Sequence, residues 1–144
     1  MLRKMLKNQK GLTLIELLVV VVILGIIAAI AIPSIGGLMD NAKKDAHVAN
    51  AQMMISSARL VVASEGVDSN ETKITLGEME TDGYIETMED PDSGSTSNGY
   101  DRTDSFVIVT RADNVFTYKV TLEGSERSIT GKTSEKLDRD AVKK

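Results

Sequence analysis

Residues 10–33 read KGLTLIELLVVVVILGIIAAIAIP, and from Leu12 to Ile32 they are apolar apart from Thr13, Glu16 and Gly25. Those 21 residues, at a helical rise of about 1.5 Å each, span roughly 31 Å, about the hydrocarbon thickness of a bilayer. Arg3, Lys4, Lys7 and Lys10 precede the stretch, and no acidic residue comes before Glu16. Positive charge on that flank keeps the N-terminus in the cytoplasm and sends the rest of the chain outward. The stretch therefore enters a membrane.

Three fates are open to such a segment. A secretory signal could be cut at Ala29-Ile30-Ala31, a small-x-small site, but its apolar run is normally only about 7–15 residues long. A plain single-pass anchor has to tolerate Glu16. An acid at the centre of a span costs roughly 2.5–3.5 kcal/mol, and less where it can snorkel to the interface. The third fate accounts for more residues. Lys10-Gly11-Leu12-Thr13-Leu14-Ile15-Glu16, continued through Leu17-Leu18-Val19-Val20 to Gly25 and Ile32-Pro33-Ser34, resembles the processing site of type IV prepilins and pseudopilins. The resemblance covers about the first 50 residues and weakens sharply beyond them.

That resemblance implies a membrane-embedded aspartyl prepilin peptidase cutting between Gly11 and Leu12, loss of residues 1–11 as leader, and N-methylation of Leu12. Leu12 stands where phenylalanine is more usual in the family. Glu16 becomes the fifth residue of the mature chain and Pro33 the twenty-second. A carboxylate held in hydrocarbon needs a partner. The family supplies one in the amine of Leu12 on a neighbouring subunit, a pairing that would set the axial register. Gly25 and Pro33 are the soft points of the helix: glycine costs about 1 kcal/mol against alanine, and proline removes a backbone bond. In the family the segment between them is commonly extended or kinked once packed in a filament.

The fold class expected is α+β: a long N-terminal helix packed on a small antiparallel sheet, the pilin fold. Its parts are a leader (1–11), a transmembrane or filament-core helix (12–35), an amphipathic continuation (36–64) and a small head (65–144). In the continuation Leu38, Ala42, Ala46, Ala49, Met53, Ser56, Leu60 and Ala63 recur three and four apart, one helical stripe suited to packing on a sheet or a neighbouring helix. Asp40, Lys43, Lys44, Asp45, Asn50 and Arg59 read as the opposite, solvated face. His47, the only histidine, reads as a solvated residue without the companions a metal or catalytic site needs.

A polar loop spans residues 65–71. Thr75-Leu76-Gly77-Glu78 has the pattern of a capping box, opening a short helix that runs through Met79 to Gly83. Tyr84-Ile85 then return to the core. Residues 89–99 are turn chemistry throughout and read as a solvated loop. Asp90, Asp92, Asp101 and Asp104 are the calcium candidates, because secretion pseudopilins hold calcium in this region. Their spacing lacks two acids of the helix-flanked calcium loop. Three β-rich runs, 105–111, 115–122 and 127–132, form a meander. In the middle one Phe116, Tyr118, Val120 and Leu122 should face the helix. Residues 133–144 read as a polar tail or last turn.

The absence of cysteine leaves an exported domain to hold its fold by packing alone. It also departs from pilins of bacteria with an outer membrane, many of which are closed by a disulfide, and points toward a Gram-positive type IV major pilin. Removing the four leader cations from the 17 basic residues leaves 13 against 21 acidic ones, a charge near −8. Such a chain is a poor nonspecific ligand for nucleic acid. No phosphate-binding glycine loop, nucleophile elbow or histidine pair is present, so an enzyme is not expected, nor is a cofactor.

The function implied is a homo-oligomeric structural subunit of a type IV pilus or pilus-like filament, serving adhesion, motility or DNA uptake. Its implied partners are the prepilin peptidase, an assembly ATPase and a membrane platform protein. It would reside in the bacterial cell membrane as prepilin and then in an extracellular surface filament. The alternatives are a pseudopilin of a secretion or competence system, and a monomeric membrane-anchored binding module.

Overall fold

The computed structural model describes residues 11–67, 70–93, 99–113 and 115–144. Residues 1–10 of the expected leader, Asp68 and Ser69 of the first loop, residues 94–98 of the turn-rich loop and Asn114 lie outside them. The chain divides into two compact units, Met1–Met39 and Asp40–Lys144. A single helix, α1 (Leu14–Glu65), contributes to both.

In the first unit α1 runs unbroken through Gly25 and Pro33. Its large apolar side chains are exposed all round, from Leu14 through Ile23 to Ile35, so the surface a soluble protein would bury is free. The helix is long and apolar enough to cross a membrane. Ser34 Oγ donates to the Ile30 carbonyl at 3.1 Å and so satisfies an oxygen next to the break that Pro33 makes in the backbone ladder.

The second unit is built from the rest of α1 and four antiparallel strands: β1 (Glu71–Thr75), β2 (Phe106–Ala112), β3 (Val115–Glu123) and β4 (Ser128–Lys132). They lie in chain order, β1-β2-β3-β4. A short helix, α2 (Leu76–Thr81), follows β1 directly. Three strands were expected, and β1 is the addition. Four of its five residues are polar, so periodicity does not show it; its backbone pairing with β2, from Glu71↔Thr110 to Thr75↔Phe106, makes it a strand. Glu71 and Lys73 on this edge also discourage pairing with foreign strands. Thr75 ends β1 and caps α2: its hydroxyl accepts from Glu78 N at 3.2 Å, while Glu78 Oε2 accepts from Thr75 N at 2.7 Å. That is the expected capping box.

The inner face of the sheet packs on α1. Val107 and Val109 alternate with half-buried neighbours on β2, and Val120, Leu122 and Ile129 are fully buried. Tyr118 is half-buried beneath Arg59 of α1, 5.4 Å from its ring centre. Phe116, expected on the same face, is 37% exposed. It pairs with Arg111 next to the end of the hairpin, and its ring lies 5.8 Å from that guanidinium.

The α1 face that meets the sheet carries His47, Ala51, Met54, Ile55 and Ala58, not the stripe expected from the sequence. Leu38, Met53 and Leu60 of that stripe are exposed at 68%, 48% and 58%. At about 100° per residue the two sets lie on opposite sides of the helix. Both recur at helical spacing, so periodicity alone cannot choose between them. The expected polar face is corrected with it: Asp40, Lys43, Asp45 and Asn50 turn toward the domain, held by Arg127, Asp92, Arg139 and Tyr100 respectively.

Gly66 ends α1 at a positive φ of 79°, its amide bonded to Val62 O at 3.1 Å, a left-handed cap that glycine reaches without strain. Tyr84 ties the same end down, donating to Glu65 Oε1 at 2.9 Å. The C-terminal segment is no frayed tail. It forms two 3₁₀ turns, Ser134–Lys136 and Arg139–Ala141, buries Leu137, Ala141 and Val142, and closes on β4 through paired Ser128–Lys143 backbone bonds. Arg139 reaches Asp45 with two bonds of 2.6 and 2.7 Å. Apolar residues spaced four and five apart gave no helix or strand period to read.

Candidate functional site

Two groups of side chains carry chemistry. The first is at the start of α1. Thr13 is its N-cap: Leu17 N donates to Thr13 O at 3.1 Å, and Glu16 N to Thr13 Oγ1 at 3.3 Å. Glu16 returns the contact, its Oε2 accepting from Thr13 N at 2.9 Å and from Thr13 Oγ1 at 2.8 Å. Thr-Leu-Ile-Glu is thus a capping box, and the lone carboxylate of the apolar rod has a partner within its own chain. The pattern is legible at residues 13–16. Gly11 and Leu12 precede the helix and are exposed, which leaves the backbone between them open to approach. Gly25 and Pro33 lie within the helix.

The second group lies in the Asp40–Lys144 unit. The turn at Asp90-Pro91-Asp92 is folded by its own carboxylate: Asp90 Oδ1 accepts from Asp92 N at 2.8 Å and Oδ2 from Ser125 N at 2.6 Å. The close approach needs Gly124, where an added Cβ would come within 2.8 Å of Arg127 O and 3.0 Å of Asp90 Oδ2. Asp92, with a fully buried side chain, takes Lys43 Nζ at 3.2 Å and Arg127 Nη1 on Oδ1, and His47 Nε2 at 2.9 Å on Oδ2. Arg127, also buried, reaches on to Asp40. His47 Nδ1 meets the Tyr100 hydroxyl at 2.8 Å, which accepts from Asn50 Nδ2 at 2.9 Å. With Asn50 donating, the hydroxyl hydrogen is free for Nδ1, and the imidazole proton sits on Nε2 facing Asp92.

Burial pushes the Asp92 carboxyl up, but the bonds from His47, Arg127 and Lys43 outweigh it and bring it down to about 2. Asp90 is likewise raised by burial, and the amides of Ser125 and Asp92 more than reverse it, so it lies below the usual carboxylate range. Burial raises the Tyr100 phenol far above its ordinary value despite the bond from Asn50. Both aspartates are therefore ionised, and the tyrosine neutral, at any physiological pH.

Of the four aspartates singled out in the sequence, Asp90 and Asp92 come together. Asp101 instead accepts from the amides of Thr103 and Asp104, each at 2.8 Å, and Asp104 is exposed. The loop is not a solvated one at its start: Asp90 is 3% exposed. His47 is corrected too, at 1% exposed. Its flank of Lys43, Lys44 and Asp45 reads as solvent-facing, and only its four-residue step to Ala51 betrays the buried face.

The fold is α+β and pilin-like, one long N-terminal helix with an antiparallel sheet. Against known families, residues 6–32 match the prokaryotic N-terminal methylation motif. This is the signature of type IV prepilins, and the chain that carries it is consistent with a type IV pilin or pseudopilin. Searches of curated proteins and of solved structures found no match to this chain. Motif and fold together indicate a structural subunit, not an enzyme. The motif implies handling by prepilin peptidase and pilus assembly machinery, and with the apolar helix it fits a membrane-anchored precursor.

Proposed function

We propose that the chain is the structural subunit of a type IV pilus or pilus-like surface filament, polymerised through α1 after cleavage between Gly11 and Leu12. The observation that carries this reading is the methylation motif at the head of a helix whose large apolar side chains are exposed from Leu14 to Met39. In the bilayer lipid covers that surface; in a filament other copies do, so leaving the membrane need not expose it to water. The unpartnered stripe with Met53 and Leu60 on the far side of α1 offers further apolar area to neighbours. Assembly then needs an energy source outside this chain, the role of an assembly ATPase working through a membrane platform protein. Adhesion, motility and DNA uptake are the services such a filament would perform.

Mass spectrometry of the protein from its native cells tests the reading. A chain beginning at methylated Leu12 is expected. Retention of Met1 in the mature protein would instead make the helix a membrane tether for a monomeric binding module.

Within this reading Glu16 exchanges Thr13 for the Leu12 amine of a neighbouring subunit. Glu16→Gln keeps the size and capping ability of the side chain and removes its charge. Filament yield is expected to fall by at least tenfold with the processed monomer still in the membrane. Filaments at wild-type yield would show that the charge pair does not govern assembly.

A further inference from the structure

We propose that His47, Asp90 and Asp92 form a binding site for a divalent transition-metal ion of the zinc type, pinning α1 to the turn at residues 90–92. One nitrogen and one oxygen from each carboxylate converge. His47 Nε2 lies 2.9 Å from Asp92 Oδ2 and 3.7 Å from Asp90 Oδ1, and all three ligand atoms fall within 4.8 Å of one another. With bonds of about 2.0–2.2 Å, the ligand atoms around a tetrahedral zinc stand roughly 3.3–3.5 Å apart. The two measured distances bracket that value, so small side-chain shifts make room for the ion.

The remaining atoms are held as a metal centre requires. Each carboxylate turns one oxygen to Nε2 and anchors the other, Asp90 Oδ2 on Ser125 N and Asp92 Oδ1 on Lys43 and Arg127. Asp90 Oδ1 also accepts from Asp92 N at 2.8 Å and keeps its second lone pair for the ion. Bonds of this kind orient ligating carboxylates. On the far side of the imidazole the Tyr100 hydroxyl contacts Nδ1. Metal at Nε2 would require the tautomer with its proton on Nδ1, and the Tyr100 oxygen is placed to accept that N–H as a hydrogen bond. An imidazole nitrogen among few oxygens suits zinc; calcium asks for six to eight oxygens. The two cations on Asp92 oppose a further positive charge. Arg127 is offset by Asp40, and Lys43, with a side chain 37% exposed, can swing into solvent. The pin would serve as the covalent staple that a cysteine-free domain lacks. It would exist whether or not the chain polymerises.

The test uses the tag-free full chain in detergent micelles, stripped with chelator and melted with Zn²⁺, Ca²⁺ or no metal. Zinc at a hundredfold excess over its Kd is expected to raise the midpoint by roughly 10 °C, and calcium to leave it unchanged. His47→Gln should abolish the rise. Because that variant can fail to fold, the wild-type chain is also titrated with Co²⁺, whose tetrahedral d–d absorption should appear and be quenched by zinc. No zinc shift together with no cobalt spectrum overturns the site, as does a shift that survives in His47→Gln or one produced by calcium alone.

Discussion

Met54→Ala is expected to destabilise the Asp40–Lys144 unit by about 2–5 kcal/mol, while Met53→Ala, one residue away, changes it by no more than ~0.5 kcal/mol. The two substitutions delete the same atoms from the same helix. Met54 is fully buried in the core with Ile55 and Ala58, so truncation leaves a cavity that its neighbours fill only in part. Met53 is 48% exposed on the opposite side and leaves no hole. Urea titration of the full chain, followed by tyrosine fluorescence, reads the difference, because there is no tryptophan and Tyr84, Tyr100 and Tyr118 all belong to that unit. Equal losses would mean that α1 does not present the face described. On the proposed filament reading the ranking should change in cells, with the cost of Met53→Ala appearing in filament yield, where copies of α1 would meet.

Arg127→Met should cost about 3 kcal/mol, the lower end of what breaking a buried ion pair costs. The guanidinium bridges Asp92 and Asp40, and its side chain is 5% exposed. Methionine fills a similar volume, so the loss reports charge and hydrogen bonding more than packing. Lys43 and His47 still contact Asp92 in the variant, which keeps the effect from the top of the range. Arg139→Met is the control. Its partner Asp45 and Arg139 itself are both more than half exposed, and a solvated pair contributes little, so its urea midpoint should stay near wild type. Both titrations are run in chelator, so that bound metal does not mask the lost cation. A variant at Arg127 as stable as the wild type would show that Asp92 is adequately served without it.

Local patterns were legible in the sequence wherever one residue type does one job. The apolar run to Ile32, the hydroxyl and acid at Thr75 and Glu78, and the alternation around Val120 and Leu122 all read directly, because each signal is complete within a few residues. Three other features depend on partners distant in sequence. β1 is polar at four of its five residues and becomes a strand only by pairing with β2. The two faces of α1 differ by which one the sheet covers, and both carry apolar residues at the same period. His47 looks solvated beside Lys43, Lys44 and Asp45 until a loop more than forty positions away closes over it with Asp90 and Asp92. The carboxylates of that loop stand out as oxygen ligands in a region where the resembling secretion pseudopilins hold calcium. Their true companions, a histidine from the helix and an arginine from the β3–β4 turn, come from segments that no short pattern joins.

The cap at the front of α1 has an energetic consequence. With Thr13 already donating twice to Glu16, any approaching amine has to displace a settled contact, and the net gain is the difference between two good bonds. A contact of that kind adds little adhesive strength but is unforgiving of misalignment: a neighbour a residue out of step leaves the acid folded back on its own threonine. On the filament reading proposed above, the chain would keep discrimination and stickiness in separate places, the first in one carboxylate, the second along an oily shaft.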